Sequence, residues 1–487
     1  FNILNSASST IPNVNASSVT TTNLNWTTAT GTNQYLNGNF FQQIGDLSGN
    51  VVSSSPRFVG GVNIADEVID VAVQGRYLYV ARGTTAGTCD STNTNKGGCE
   101  LQIYDITSTT PVYVGGISNG DNNPFKIVVS GRYVFMVKNS NTGSCSTTVV
   151  DGCEFQIYDV SNVSAPRYIG GVDINDDDAY NVFVYGKLAY VTKLADSGFC
   201  SATTSVGCEL QVYDISNPTK PVYKGGGNTA GSAWDVYVSG RYAYVIRNLS
   251  TGTCSRTVNT GCEFQIWDVG TTSSPRYVGG LSNGDANATS QVVVSGRYAY
   301  FGGVSQGGTC APPGSLGCEF YIADISSSTN PVMLGGVDLG VAVNDVAVSG
   351  RYAYLVTDSN TGFCSATTTD GCDFLVYDVT TSSQPMYVGG AEMAGTTNGI
   401  TISGRFGYLG KSLDNSSCTI GNNNGGCELQ VFDISGLEAS AVTAHSLEAG
   451  TLQVRSNAFL DLASIRGGLV IGAGGLFSDG GHSVFAS

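Results

Sequence analysis

The residues of this chain with the most definite chemistry are its fourteen cysteines. They fall into seven pairs: Cys89/Cys99, Cys145/Cys153, Cys200/Cys208, Cys254/Cys262, Cys310/Cys318, Cys364/Cys372 and Cys418/Cys427. The spacing within a pair is eight to ten residues, with no histidine nearby and no CxxC. A structural zinc site needs closely spaced thiolates or imidazoles, so this pattern points to seven short disulfide loops. Seven equivalent copies suit architecture better than a redox active site. Disulfides in turn point to an oxidising compartment, extracellular or at a cell surface.

The next cluster is acidic. The segment VDINDDDAYN (172–181) brings Asp173, Asp176, Asp177, Asp178 and Tyr180 together. Carboxylates at this density are a candidate Ca²⁺ site, and they read equally as a solvated acidic loop. No other cofactor is expected. Trp234 offers a flat apolar face on which a sugar ring or a protein partner could stack, and it also reads as a buried connector residue.

General acid–base residues are scarce. The only histidines, His445 and His482, lie near the C-terminus, outside the repeated region, which excludes a Ser-His-Asp or His–metal mechanism there. Neither a phosphate-cradling loop nor a GxSxG elbow is present. A paired-carboxylate glycosidase or a Tyr/Arg lyase stays open because Asp and Tyr are plentiful, but no pair stands out. The chain is expected not to be an enzyme.

The elements that position these residues are repeats. A Gly-Arg or Gly-Lys turn recurs at 75, 131, 186, 240, 296, 350 and 404. An Asp followed by Ile or Val recurs at 105, 159, 214, 268, 324, 378 and 433, and a Pro-x-x-x-Gly-Gly element begins at 56, 111, 166, 221, 275, 331 and 385. In the fourth copy, AWDVYVSG, RYAYVIR, CEFQIWDV and PRYVGGL read as four successive strands, the first two joined by a tight hairpin and the third opened by the second cysteine of the pair. Four antiparallel strands repeated radially make a propeller blade. The fold class is therefore all-β, a seven-bladed β-propeller over residues 56–434. The first Pro-x-x-x-Gly-Gly strand has no blade before it, and the last blade lacks one. The N-terminal strand should complete the seventh blade and so remove two free sheet edges. The repeated Asp should accept backbone N–H groups at a strand end, and the repeated Arg should lie over neighbouring aromatic rings.

These repeats, for example DVYVSGRYAYV (235–245) and CELQVYDISNPTKPVYKGG (208–226), resemble the LVIVD family of bacterial propeller repeats. The resemblance implies an extracellular bacterial protein and says little of its activity. The units here are longer because the loop between second and third strands carries the cysteine pair. In a propeller that loop shares a face with the connector leading from one blade to the next, and it is the face that commonly binds ligands. The connectors differ from one another while the strands stay alike, which is where recognition is normally placed.

The flanks are a different material. Residues 1–55 are rich in Thr and Asn, reading as a stalk or linker. Residues 435–487 read as a short helix followed by brief Gly-rich strands. Both resemble stalk segments of phage tail fibres and of large surface proteins of ultra-small bacteria, which implies assembly into a homo-oligomer, a trimer favoured. The net charge of −16 disfavours nucleic acid and anionic membranes, and no apolar run reaches the ~18 residues of a membrane span. The expected function is a secreted, non-enzymatic surface or fibre protein whose propeller presents disulfide-braced loops to a glycan or cell-surface protein. A structural filament subunit making self-contacts and a carbohydrate-active enzyme are the alternatives.

Overall fold

The computed structural model describes residues 56–434 apart from short loop stretches; residues 1–55 and 435–487, with the expectations for both flanks, lie outside the described residues. Within the described residues there is no helix, and the strands form seven antiparallel four-stranded sheets.

The fourth blade shows why. Its strands are Ala233–Ser239, Tyr242–Arg247, Phe264–Asp268 and Arg276–Leu281, hydrogen-bonded in that order. The two middle strands, YAYVIR and FQIWD, are buried almost throughout, because both faces of the sheet pack against neighbouring blades. That explains their near-continuous apolar sequence. Phe264 stacks on Tyr244 of its own blade and on Phe301 of the next, so one ring belongs to the core of two blades. The hairpin between the first two strands places Gly240 at φ 57° and Arg241 second, a tight turn that favours glycine at its first central position.

The first strands of neighbouring blades touch around a full circle and line a central channel. From blade 1 to blade 7 they are Val68–Gln74, Pro124–Ser130, Ala179–Tyr185, Ala233–Ser239, Thr289–Ser295, Val343–Ser349 and Thr397–Ser403. Closure is by the N-terminal strand: Arg57–Val62 is antiparallel to Leu429–Asp433, with Arg57 opposite Asp433 and Val62 opposite Leu429. The two ends of the described chain are thus hydrogen-bonded to each other.

The Gly-Gly pair of each outer strand is a packing device. A Cβ on Gly60 would sit 2.0 Å from the carbonyl oxygen of Thr109 in the next blade, and one on Gly61 would sit 2.6 Å from the Leu429 carbonyl and 3.1 Å from Cys427 Sγ. The first glycine lets blades nest; the second lets the strand pass over the disulfide. At the opposite end, the turn arginine pairs with the Asp that ends the third strand, as in Arg241 Nε to Asp268 Oδ1 at 2.9 Å. The same Asp accepts backbone N–H groups two residues on, for example Thr107 N to Asp105 Oδ1 at 2.9 Å. Five of these arginines also lie over the ring of the following residue, 5.1–5.4 Å from its centroid.

Candidate ligand site at the channel mouth

All seven cysteine pairs are disulfides, Cys89–Cys99, Cys145–Cys153, Cys200–Cys208, Cys254–Cys262, Cys310–Cys318, Cys364–Cys372 and Cys418–Cys427, with Cα–Cα separations of 4.6–4.8 Å. Their placement corrects the sequence reading in one respect and adds a second observation. The third strand opens two residues after the second cysteine, as Cys262 and Phe264 show, and the bridges themselves are not on the presented surface. Cys99, Cys153, Cys208, Cys262, Cys318, Cys372 and Cys427 are all buried, while their partners are half-buried. The cause is the outer strand, which crosses directly above. The Tyr113 hydroxyl stands 3.7 Å from Cys99 Sγ, that of Tyr223 3.2 Å from Cys208 Sγ and that of Tyr387 3.3 Å from Cys372 Sγ. A Cβ on Gly336 would lie 2.8 Å from Cys318 Sγ. The disulfides therefore brace the loops from beneath, each with its second cysteine covered by the outer strand.

The acidic residue after the second cysteine ties the disulfide loop to the connector beside it. Its carboxylate accepts a connector N–H: Glu154 from Ile174 (2.8 Å), Glu209 from Thr229 (2.8 Å), Glu319 from Leu339 (2.7 Å) and Glu428 from Ile64 (2.7 Å). Below them lie buried cations at the end of the second strand. Lys138 Nζ donates to the Asp151 carbonyl at 2.9 Å, Lys411 Nζ to the Met393 carbonyl at 2.9 Å, and Arg247 to the carbonyls of Cys262 (2.7 Å) and Thr260 (2.6 Å). Hydrogen bonding to the loop backbone offsets the cost of burying these cations and fixes loop and connector as one rigid face.

This face surrounds the channel mouth. Six of the seven innermost strands share a β-bulge at their second residue, as between Val68 and Asp70, and between Ala233 and Asp235; in blade 5 the shift spans Thr289 to Val292. A bulge bends a strand and re-aims one side chain. The bulged residues of blades 2, 3 and 4 are Phe125, Tyr180 and Trp234. Phe125 meets Tyr180 edge-on (5.1 Å), and Tyr180 stacks flat on Trp234 (4.5 Å, 1°). Across the mouth, blades 6 and 7 supply Asn344 and Asn398. Together these residues line a cavity of about 430 Å³, within the range of small-molecule sites.

One layer down, the third residue of each innermost strand forms a ring: Asp70, Lys126, Asn181, Asp235, Gln291, Asp345 and Gly399. The carboxylates staple blades together. Asp70 Oδ2 accepts the N–H of Ile127 (2.8 Å), Asp345 Oδ2 accepts that of Ile400 (3.0 Å), and Asp235 accepts that of Val292, each in the following blade. Lys126 bridges the ring, its Nζ 3.1 Å from Asp70 Oδ1 and 3.7 Å from Asp345 Oδ2. Burial pushes Asp70 up to about 6 against the pull of Lys126, and pushes Asp235 up to about 7. Burial alone would lower the Lys126 ammonium, but attraction from Asp345, Asp70 and Asp235 outweighs it and the net shift is upward.

Two of the residues singled out from sequence, Tyr180 and Trp234, meet in this site. The described carboxylates of the acidic loop do not converge on one point. Asp177 pairs with the buried Lys193, Asp178 Oδ1 accepts the backbone N–H of Ser140 in blade 2 (2.7 Å), Asp173 is exposed, and Asp176 lies outside the described residues. Among the described residues no group of three or more His, Cys, Asp or Glu side chains could hold a metal ion. Sequence reasoning missed Phe125, Lys126, Asp70, Asp345 and Asn344. Their sequence signal is a polar or aromatic residue near the start of an otherwise apolar innermost strand.

No curated protein matches the chain. Among solved structures it is similar to the Pan2 WD40 domain of Neurospora crassa (11% identity, 79% of this chain and 97% of that one, TM-score 0.48). It is also similar to a functionally unknown protein from Desulfotomaculum acetoxidans (12%, 67% and 87%, TM-score 0.43) and to the computationally designed Ika8 protein (9%, 78% and 100%, TM-score 0.43). Likenesses at this level say nothing of function. Among the described residues no helix is long and apolar enough to cross a membrane, and seven disulfides fit an oxidising, extracellular setting. The family model of the LVIVD repeat matches residues 66–84, 205–229, 230–248 and 341–364, which fall on blades 1, 3, 4 and 6, so this seven-bladed β-propeller carries LVIVD repeats.

Proposed function

We propose that the chain is a secreted, non-enzymatic recognition protein, and that the face bearing the disulfide loops is its adhesive surface. The observation that carries the reading is the contrast on that face. A repeated bracing of buried disulfide, carboxylate–connector bond and buried cation lies beneath loop tips that differ from blade to blade. Two of those tips expose a large ring: Phe199 and Phe363, each directly before the first cysteine of its pair, are both 79% exposed. A rigid base under varied tips lowers the ordering cost of binding. The channel carboxylates support the non-enzymatic part, because Asp70, Asp235 and Asp345 are each committed to a neighbouring blade's backbone N–H.

The test is a glycan and cell-surface binding screen with the full chain, with Ca²⁺ and with chelator. Binding weakened by the paired substitutions Phe199→Ser and Phe363→Ser, or by substitutions at the channel mouth, supports the reading. Absence of binding by folded protein refutes it. Self-assembly through the flanks is the second part of the proposal, and light scattering of the full chain reads the expected trimer directly.

A further inference from the structure

We infer that the channel mouth is a seat for a neutral pyranose unit at the end of a glycan, which deepens the recognition reading and rests on it. The mouth divides into two unlike halves. Blades 2 to 4 present the aromatic arc of Phe125, Tyr180 and Trp234, while blades 5 to 7 present the amides Gln291, Asn344 and Asn398. A ligand held between them needs one apolar face and one hydrogen-bonding edge.

The polar atoms narrow the class. Asn344 Nδ2 donates to Asp358 Oδ1 (3.0 Å) and to the Thr397 carbonyl (3.0 Å), so both its N–H donors are spent and its Oδ1 acceptor is what it has left to offer. Asn398 Nδ2 donates to the Val68 carbonyl at 2.9 Å. On the aromatic side, the Trp234 indole N–H is shielded from bulk solvent and has no acceptor among the described residues; the Asn139 Oδ1, also lining the cavity, is shielded and has no donor among them. An unpaired donor and an unpaired acceptor thus belong to residues that wall the cavity. A buried polar group left without a partner is destabilising until a partner arrives.

Charge removes the rival classes. The floor holds Asp70, Asp235 and Asp345 against Lys126 alone, and Glu67 and Asp358 stand at the rim. A carboxylated, sulfated or phosphorylated ligand would be repelled. An ammonium ligand would suit the acids and the rings, but it carries only donors and leaves the Trp234 N–H unpaired. A hydroxyl both donates and accepts, and a pyranose adds a flat C–H face for the arc. A neutral sugar is the class that meets all three demands.

The experiment is calorimetric titration of the full chain with neutral hexasaccharides (β-glucan, α-glucan, β-mannan and xylan), with a polygalacturonate and heparin-derived acidic pair, and with a glucosamine hexamer. Trp fluorescence is read in parallel. The expected result is binding of at least one neutral oligosaccharide with a fluorescence change. Trp234→Ala should weaken it tenfold or more, and Trp234→Phe, which keeps an aromatic ring and removes the N–H, should weaken it several-fold. Both variants should remain folded at the titration temperature, which unfolding scans check. Preference for the acidic or amine probes would overturn the inference. So would neutral-sugar binding unchanged by Trp234→Ala and Trp234→Phe, which would leave the recognition reading standing on the loop tips. Failure of every sugar probe overturns the inference; failure to bind any cell surface as well overturns the recognition reading with it.

Discussion

Removing Lys126 should destabilise the propeller in a way that depends on pH. Its ammonium lies 3.1 Å from Asp70 and 3.7 Å from Asp345 and is the one cation in a ring that also holds Asp235. At an effective dielectric near 20, those two contacts amount to roughly 5 and 4 kcal/mol of attraction. Part of that is offset by the desolvation of the ammonium itself. Breaking a buried pair by deleting one partner typically costs about 3–5 kcal/mol, because the remaining charge is left uncompensated. The substitution Lys126→Met keeps most of the length of the side chain and removes the charge. With about 380 residues unfolding at ~2.1 cal/mol/K each, 3–5 kcal/mol corresponds to a fall of about 4–6 °C in thermal midpoint. The fall should be largest near pH 8 and much smaller near pH 5, where Asp70 and Asp235, already pushed up to about 6 and about 7, take up protons instead. Calorimetry of parent and variant across that range is the assay. An equal loss at pH 5 and pH 8, or no loss at pH 8, would refute the reasoning.

The same groups set the pH profile of the parent. Asp70 and Asp235 are raised, so their contribution is full below the unfolded carboxyl value near 4 and is lost as pH rises through about 6 and 7. Asp105 and Asp324 are held at about 2 chiefly by Arg76 and Arg297, and Asp159, against its burial, is held there by Arg132; their contribution is lost as pH falls below 4. The thermal midpoint should therefore peak near pH 4–5 and decline towards pH 8, which a pH series of unfolding scans checks. Replacing Cys145 and Cys153 together with serine should cost ~2.5 kcal/mol from the eight-residue loop, and full reduction should lower the midpoint while releasing no zinc to a colorimetric chelator. Gly60→Ala places a Cβ 2.0 Å from the Thr109 carbonyl, so it should cost about 2 kcal/mol or more in denaturant unfolding, whereas alanine at an exposed loop serine should cost nothing.

Much of the fold is legible in the sequence because propeller blades repeat in register. Pro56 and Ile434 bracket a chain whose elements are offset by one strand, and that offset alone implies the pairing of Arg57–Val62 with Leu429–Asp433. The disulfide pairing is legible for the same reason. The burial of Cys99, Cys208, Cys318 and Cys372 is not, because it depends on the outer strand crossing over the bridge. The Arg–Asp pairs are legible only in halves: Arg241 and Asp268 each recur, but the register that sets Tyr242 opposite Asp268 is needed to join them. Glu154 and its counterparts stand after the second cysteine in plain view, yet their partners are main-chain N–H groups that no sequence pattern marks. The channel ring is hidden for a different reason. Asp70, Lys126, Asp235 and Asp345 differ in type and are separated by 56, 109 and 110 residues, so only ring closure makes them neighbours. The described carboxylates of the acidic loop are the opposite case, near in sequence and apart in their contacts. Asp177 and Asp178 are adjacent in sequence, but successive residues near a strand start point to opposite sides, one to Lys193 and the other to blade 2.

The most direct measurement of the account is an experimental structure of the full chain in complex with the tightest-binding neutral oligosaccharide or surface glycan from the screens. Ligand density is expected on the disulfide-loop face, in the mouth between Tyr180–Trp234 and Asn344–Asn398, with a hydroxyl within hydrogen-bond reach of Trp234 Nε1. Density on the opposite face, beside the Gly-Arg turns, or none on the propeller at all, would contradict it.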